Sequence, residues 1–191
     1  MTTQTVPQTT NGVDVTRFME TIGAVKQSPE MGKANFRAKN RWVFGTHNRA
    51  MVGECQIGGE IQDRRMEPFV HDFDEPPCLL GGDTGANPVE YVLTALTGCV
   101  TTSIVLNAAA RGITIHSIES TCEGDIDLQG MLALDETVSV GYQGIRMEFK
   151  VDADATPEEI EELVQTSKDR SPVFNTVSSP VPIQVTVTES K

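Results

Sequence analysis

Residues 87–112, NPVEYVLTALTGCVTTSIVLNAAARG, decide how the chain folds. Asn87 suits an N-cap, Pro88 the first helical position and Glu90 the third, where a carboxylate can reach back to the cap. At the other end Arg111 complements the C-terminal carbonyls and Gly112 supplies a stop. Between them Val89, Val92, Leu96, Cys99, Ser103 and Ile104 recur at three- and four-residue steps. Leu93, Val100, Val105 and Leu106 widen that stripe until it nearly encircles the helix, which predicts a buried central helix. A membrane span needs about 20 mostly apolar residues. Thr94, Thr97, Gly98, Thr101, Thr102, Ser103 and Asn107 argue instead for the core of a soluble protein.

Working outward, residues 74–88 (DEPPCLLGGDTGANP) read as an irregular loop dense in Pro and Gly. Residues 34–70 read as strands: Phe36 to Phe44, a turn at Gly45 to Asn48, then Ala50 to Ile57, with a break at Gly58-Gly59. From Asp14, a plausible cap, Phe18, Met19, Ile22 and Val25 predict a short amphipathic helix ending near Ser28-Pro29. Residues 1–12, rich in Thr, Gln and Gly, read as a disordered tail. Downstream, residues 113–128 read as a strand. Ile145, Met147, Phe149 and Val151 alternate with Arg146, Glu148, Lys150 and Asp152 as a half-buried antiparallel strand. Thr156-Pro157-Glu158-Glu159 is a capping box opening a second helix, which ends before Ser171-Pro172. Ile183, Val185 and Val187 alternate with Gln184, Thr186 and Thr188, predicting a closing strand. Helices set among runs of antiparallel strands give an α+β fold. The domains expected are a tail (1–12), a helical extension (13–33) and one main domain (34–191).

The 191 residues carry a formal charge of −12, from 15 basic and 27 acidic side chains. Nucleic acid and anionic membrane both require a basic footprint, so neither is an expected partner. The charge is uneven: Lys33, Arg37, Lys39, Arg41 and Arg49 fall in one stretch without an acid, and the acidic excess sits in residues 119–169. Cys55, Cys78, Cys99 and Cys122 form no CxxC and no ligand-spaced set with a histidine. The polar N-terminus lacks the apolar run of a signal peptide. Free thiols in a reducing cytoplasm, with no metal and no bound cofactor, are the expectation.

Cys99 is the residue most open to chemistry. Read alone it is a small core hydrophobe; a reactive thiolate mid-helix needs an Arg or Lys from elsewhere to stabilise it. Cys122, in a strand, reads as a wall residue. His71, Asp72 and Asp74 read as an exposed acidic loop rather than a metal site.

The stretch GGDTGANPVEYVLTALTGCV resembles the loop, Asn-Pro cap and cysteine-bearing helix of the OsmC/Ohr family. The likeness continues through EGDIDLQG, VGYQGIRMEFKVDADATPEEIEELV, SPVFNTV and PVPIQVTV, and so covers residues 34–190 in order. ANFRAKNRWVFGTHNR and the extra N-terminal helix resemble a longer branch of that family. The resemblance implies curved antiparallel sheets wrapping a long central helix in an intertwined homodimer. It also implies a thiol peroxidase site: a reactive Cys on that helix, a second Cys that forms a disulfide with it, an Arg and a Glu. Carried over, the reactive Cys is Cys99, whereas the second-cysteine position holds Ser171. The position of the Glu, directly after Asn-Pro, holds Val89; Glu90 lies one step on, about 100° around the helix, with capping as its alternative role. The Arg, from the hairpin, is Arg49, with Arg41 as second choice.

Two functions are open. One is one-cysteine reduction of organic hydroperoxides by Cys99, with Arg49 and Glu90 assisting and an external thiol as reductant. The other is non-catalytic: a dimer holding a small apolar molecule in the same interface pocket. Cys99 and the basic hairpin favour the first; Ser171 and the displaced Glu favour the second.

Overall fold

The computed structural model describes residues 8–62 and 67–189. The chain falls into two compact units, one ending at Thr94 and the other beginning at Ala95.

In the first unit an Asn-Gly turn with positive φ at Asn11 (53°) and Gly12 (77°) joins β1 (Thr9–Thr10) to β2 (Val13–Asp14). Such a turn matches the twist of a two-residue hairpin, so residues 8–12 are ordered where a tail was expected; residues 1–7 of that tail lie outside the described residues. Asp14 caps α1 (Val15–Gln27) by accepting from the Arg17 amide at 3.0 Å. Strands β3 (Ala34–Phe44) and β4 (His47–Ile57) form an 11-residue antiparallel pair. The other edge of β4 takes β5 (Glu60–Gln62) and then β6 (Phe69–Phe73).

Asp74, just past β6, is 3 % exposed. Its carboxylate accepts from the Thr46 hydroxyl at 2.6 Å, the Glu75 and Gly82 amides at 2.9 and 3.1 Å, and both the amide and hydroxyl of Thr84. A buried carboxylate needs this many donors, and they hold it well below the usual carboxylate range, the Thr46 hydroxyl foremost. The loop folds back on β6 so tightly that a Cβ at Gly81 would sit 1.7 Å from the Glu75 carbonyl, and one at Gly85 2.2 Å from that of Asp72. The expected exposed acidic loop is therefore an ordered turn around a buried acid.

The long helix α2 (Pro88–Arg111) runs from the first unit into the second. By length and composition it could span a membrane, but its buried residues are core. Leu96, Val100, Ile104 and Ala108 follow one another at four-residue steps, joined by Ala109. Only these five are buried within the chain, so the expectation of a fully enclosed helix is not met by one copy. The covered stripe also runs through Val100 and Ala108, leaving Cys99 and Ser103 half-buried at its border.

In the second unit β7 (Ile115–Asp125) pairs antiparallel with β8 (Gly144–Ala153). A single turn, α3 (Leu128–Met131), lies between them in sequence. Thr156 and Glu159 close the capping box of α4 (Pro157–Asp169), followed by α5 (Pro172–Ser178). Val100, Ile104, Ala108 and Leu163 are the core, with Ile113, Ile118, Met147, Phe149 and Phe174 packed around it.

The expected closing strand does not form. Residues 180–189 have no regular structure, and Ile183, Val185 and Val187 are 81 %, 87 % and 91 % exposed. Alternation specifies a strand only where the segment pairs with an edge that offers free N–H and C=O groups, and among the described residues no strand pairs with it.

Candidate functional site

Cys99 is the twelfth of the 24 residues of α2, one step before buried Val100 and three after buried Leu96. It is a half-buried free thiol, as are Cys55 and Cys122; Cys78 is free and exposed. Burial, and then the Glu123 carboxylate, push the Cys122 thiol up, which disfavours its thiolate.

Ser171 is fully buried. It caps α5, its hydroxyl accepting from the Phe174 amide at 3.3 Å and its carbonyl taking both the amide and side chain of Asn175. Glu90 is exposed and accepts from the Asn87 amide at 2.8 Å, while the Asn87 side chain accepts from the Val89 amide at 2.9 Å. That reciprocal pair caps the helix, with the Asn87 side chain on the second helical amide. The Asn87 amide group is also tied to the Glu75 carboxylate, which joins the start of α2 to the Asp74 turn.

Arg49 and Arg41 are direct partners across the β3–β4 ladder, and Asp72 of β6 is opposite Arg49 on its other side. Residues directly opposite share a face of the sheet, so the three form one row. Arg49 donates through Nε to Asp72 Oδ1 at 2.8 Å and through Nη2 to Oδ2 at 3.3 Å. His47, two residues along the same face, places Nε2 2.7 Å from the same Oδ1. A carboxylate only accepts, so that nitrogen carries the proton. Asp72 is held below its ordinary range by the hydrogen bond from Arg49, then by that from His47; Arg49 is raised in turn by Asp72. Arg41 is exposed.

Sequence reasoning read Asp72 as a loop acid and passed over His47. Their signals were period-two spacing, which puts His47 and Arg49 on one face, and the run Phe69–Phe73, whose Phe69, His71 and Phe73 would share one face of a strand. Pairing β6 with β4 is a tertiary event that neither stretch announces. Among the described residues no group of three or more His, Cys, Asp or Glu side chains could hold a metal.

The OsmC-like protein family profile matches residues 81–186, more than half of the chain and all of the cysteine helix. The chain belongs to the OsmC-like family. Solved structures agree on the fold. An OsmC-like protein from Mycoplasma pneumoniae superposes with a TM-score of 0.59 at 18 % identity, over 75 % of this chain and 87 % of that one. An OsmC-like protein of unknown function from Vibrio cholerae gives 0.55 at 12 %, over 76 % and 94 %. An organic hydroperoxide resistance protein from Elizabethkingia anophelis, with crystallant-derived thiocyanate bound, gives 0.52 at 16 %, over 75 % and 87 %. No curated protein matches. This OsmC-like chain therefore has the α+β architecture of antiparallel sheets and a long helix that the resemblance implied, and some structural neighbours are named for hydroperoxide resistance.

Proposed function

We propose that this OsmC-like chain reduces organic hydroperoxides with Cys99 as its one reacting cysteine. The observation that carries this reading is the place of Cys99: a free, half-buried thiol at the border of the buried stripe, midway along the helix the family profile covers. A thiol sealed in the core would be inert.

The thiolate attacks the distal oxygen of the hydroperoxide, the O–O bond breaks, the alcohol leaves after taking a proton, and Cys99 becomes a sulfenic acid. Two equivalents of an external thiol return it to the thiol, releasing a disulfide and water. The buried Ser171 hydroxyl has no chemistry for trapping a sulfenic acid, so one-cysteine turnover is the cycle this reading requires. Free cysteines suit a reducing cytoplasm.

The working form in this reading is a homodimer. Phe36, Trp42 and Phe44 of β3 are exposed, as are Ile183, Val185 and Val187 of the unpaired C-terminal segment. A second copy is the cover they call for.

One observation favours the non-catalytic alternative. A cavity of about 610 Å³ in the second unit is lined by Leu96, Met147, Phe149, Val164 and Phe174, with Lys168 as its cation, a composition suited to a small apolar ligand.

The deciding experiment exposes the protein to cumene hydroperoxide and follows peroxide loss and Cys99 by mass spectrometry. Sulfenic acid on Cys99 in step with peroxide loss, reversed by dithiothreitol and absent in Cys99→Ser, is the expected result. Peroxide loss unchanged in Cys99→Ser rules out Cys99 as the reacting thiol, and a Cys99 that stays reduced while the peroxide persists selects the binding protein.

A further inference from the structure

We propose that the cavity of the second unit binds an aliphatic carboxylate, with Lys168 as the counter-ion of its head group and the apolar wall as the bed of its tail. Only the second unit is involved, and the site stands whether or not Cys99 reacts.

The wall follows from local periodicity. Met147 and Phe149, alternate residues of β8, share one face of the strand. Val164 and Lys168, four apart on α4, share a helix face, as do Phe174 and Val177, three apart on α5. Buried Leu96 of α2 completes the lining. The volume of about 610 Å³ falls within the range of small-molecule pockets, about 300–1,000 Å³.

Charge decides what kind of molecule fits. The acidic excess of the chain sits in residues 119–169, yet among the described residues no Asp or Glu lines this cavity. Glu148 of β8 and Glu161 and Glu162 of α4 are exposed to solvent instead. Lys168 is the one cation in the lining among the described residues. It is half-buried, and its ammonium lies 5.4 Å from the centroid of the Phe174 ring, a cation–π contact that keeps it at the wall. Its acid partner is the neighbouring Asp169, at 3.2 Å and 68 % exposed, and such a pair contributes little. An apolar bed with one cation and no acid selects an anion with a hydrocarbon tail over a neutral or cationic molecule. The pocket of about 390 Å³ on the first unit lacks that character: Glu54 lines it beside Arg37 and Lys39, and pairs with Arg37 at 3.9 Å.

The test is calorimetric titration of the full-length protein at pH 7 with octanoate, hexanoate and the neutral isostere 1-octanol, with Tm as the control for folding. Octanoate should bind about tenfold or more tightly than 1-octanol. Hexanoate should bind about four- to fifteenfold more weakly than octanoate, the worth of two buried methylenes. Lys168→Gln should weaken octanoate about tenfold and change 1-octanol by less than about twofold; Lys168→Arg should keep most of the preference. In methyl NMR spectra the Met147 and Val164 signals should shift as octanoate is added.

Equal affinities for octanoate and 1-octanol, a preference that survives Lys168→Gln, or octanoate shifts confined to other methyl groups would each overturn the proposal. So would Met147 and Val164 signals that ignore octanoate and move on dilution of the protein, which would assign the cavity to a second copy of the chain. None of these outcomes touches the peroxidase reading, and a Cys99 that ignores peroxide defeats that reading while leaving the carboxylate site intact.

Discussion

The two units are held together by different physics. In the second, Val100, Ile104 and Leu163 are completely buried, and α2, α4 and the β7–β8 sheet close over an apolar core. In the first, the buried side chains among the described residues are Ala50 and an acid, Asp74, while Trp42 and Phe44 stand 71 % and 79 % exposed. Its order rests on a hydrogen-bonded sheet, the Asp74 turn and the Asp72 cluster. One unit carries the thiol among aliphatic side chains, and the other the cations among polar ones. The unit that carries Arg49 is also the one that leaves Phe36, Trp42 and Phe44 open to water.

If that contrast is right, Leu163→Ala has the largest effect on folding. Removing a fully buried leucine should cost about 2–5 kcal/mol, read by urea denaturation. Next is the outer face of the first unit. Trp42→Ser with Phe44→Ser should leave the second unit folded and weaken self-association about a hundredfold or more, since each aromatic anchor is worth roughly 1.5 kcal/mol or more on burial. Sedimentation over a dilution series reads this, and an unchanged dissociation constant would break the comparison. Removing residues 180–191 tests the same contrast from the other side and should shift the equilibrium in the same direction.

Asp74→Asn is expected to lower Tm by several degrees, because the donors gathered around a carboxylate lose their charged acceptor. The pH dependence follows from the direction of the shift. Asp74 is depressed in the folded protein, so its contribution is full above the ordinary carboxylate pKa near 4 and is lost as pH falls toward the lower folded value. Wild type and Asp74→Asn should thus converge in stability in strong acid and diverge on return to neutrality. The smallest effect should come from Arg146, which pairs with Glu123 and Asp125 on the exposed face of β7–β8. Arg146→Gln should move Tm by about a degree or less, as exposed ion pairs do.

Much of the fold was legible because its signals are local. The Asp14 and Thr156 caps, the helix from Pro88 to Arg111 and the alternation of β8 each lie within a few residues of what they control. Cys99 was legible for the same reason, since motif and helix are one stretch. What failed was non-local. The alternation at 183–188 is a genuine strand pattern that finds no edge in one chain. Asp72 and Asp74 looked like loop acids until β6 paired with β4 and the Gly81–Gly85 turn folded over them. Glu90 could be read as cap or catalyst, and the structure places its carboxylate on the Asn87 amide.

The sequence alone determined the class of the fold and the helix that carries the thiol, because identity and short-range periodicity are properties of the chain. Tertiary structure decided which carboxylate holds Arg49, which stripe of α2 is buried and which apolar faces stay open. Those depend on strands and side chains brought together from distant parts of the chain, and no local pattern encodes the pairing of residue 49 with residue 72.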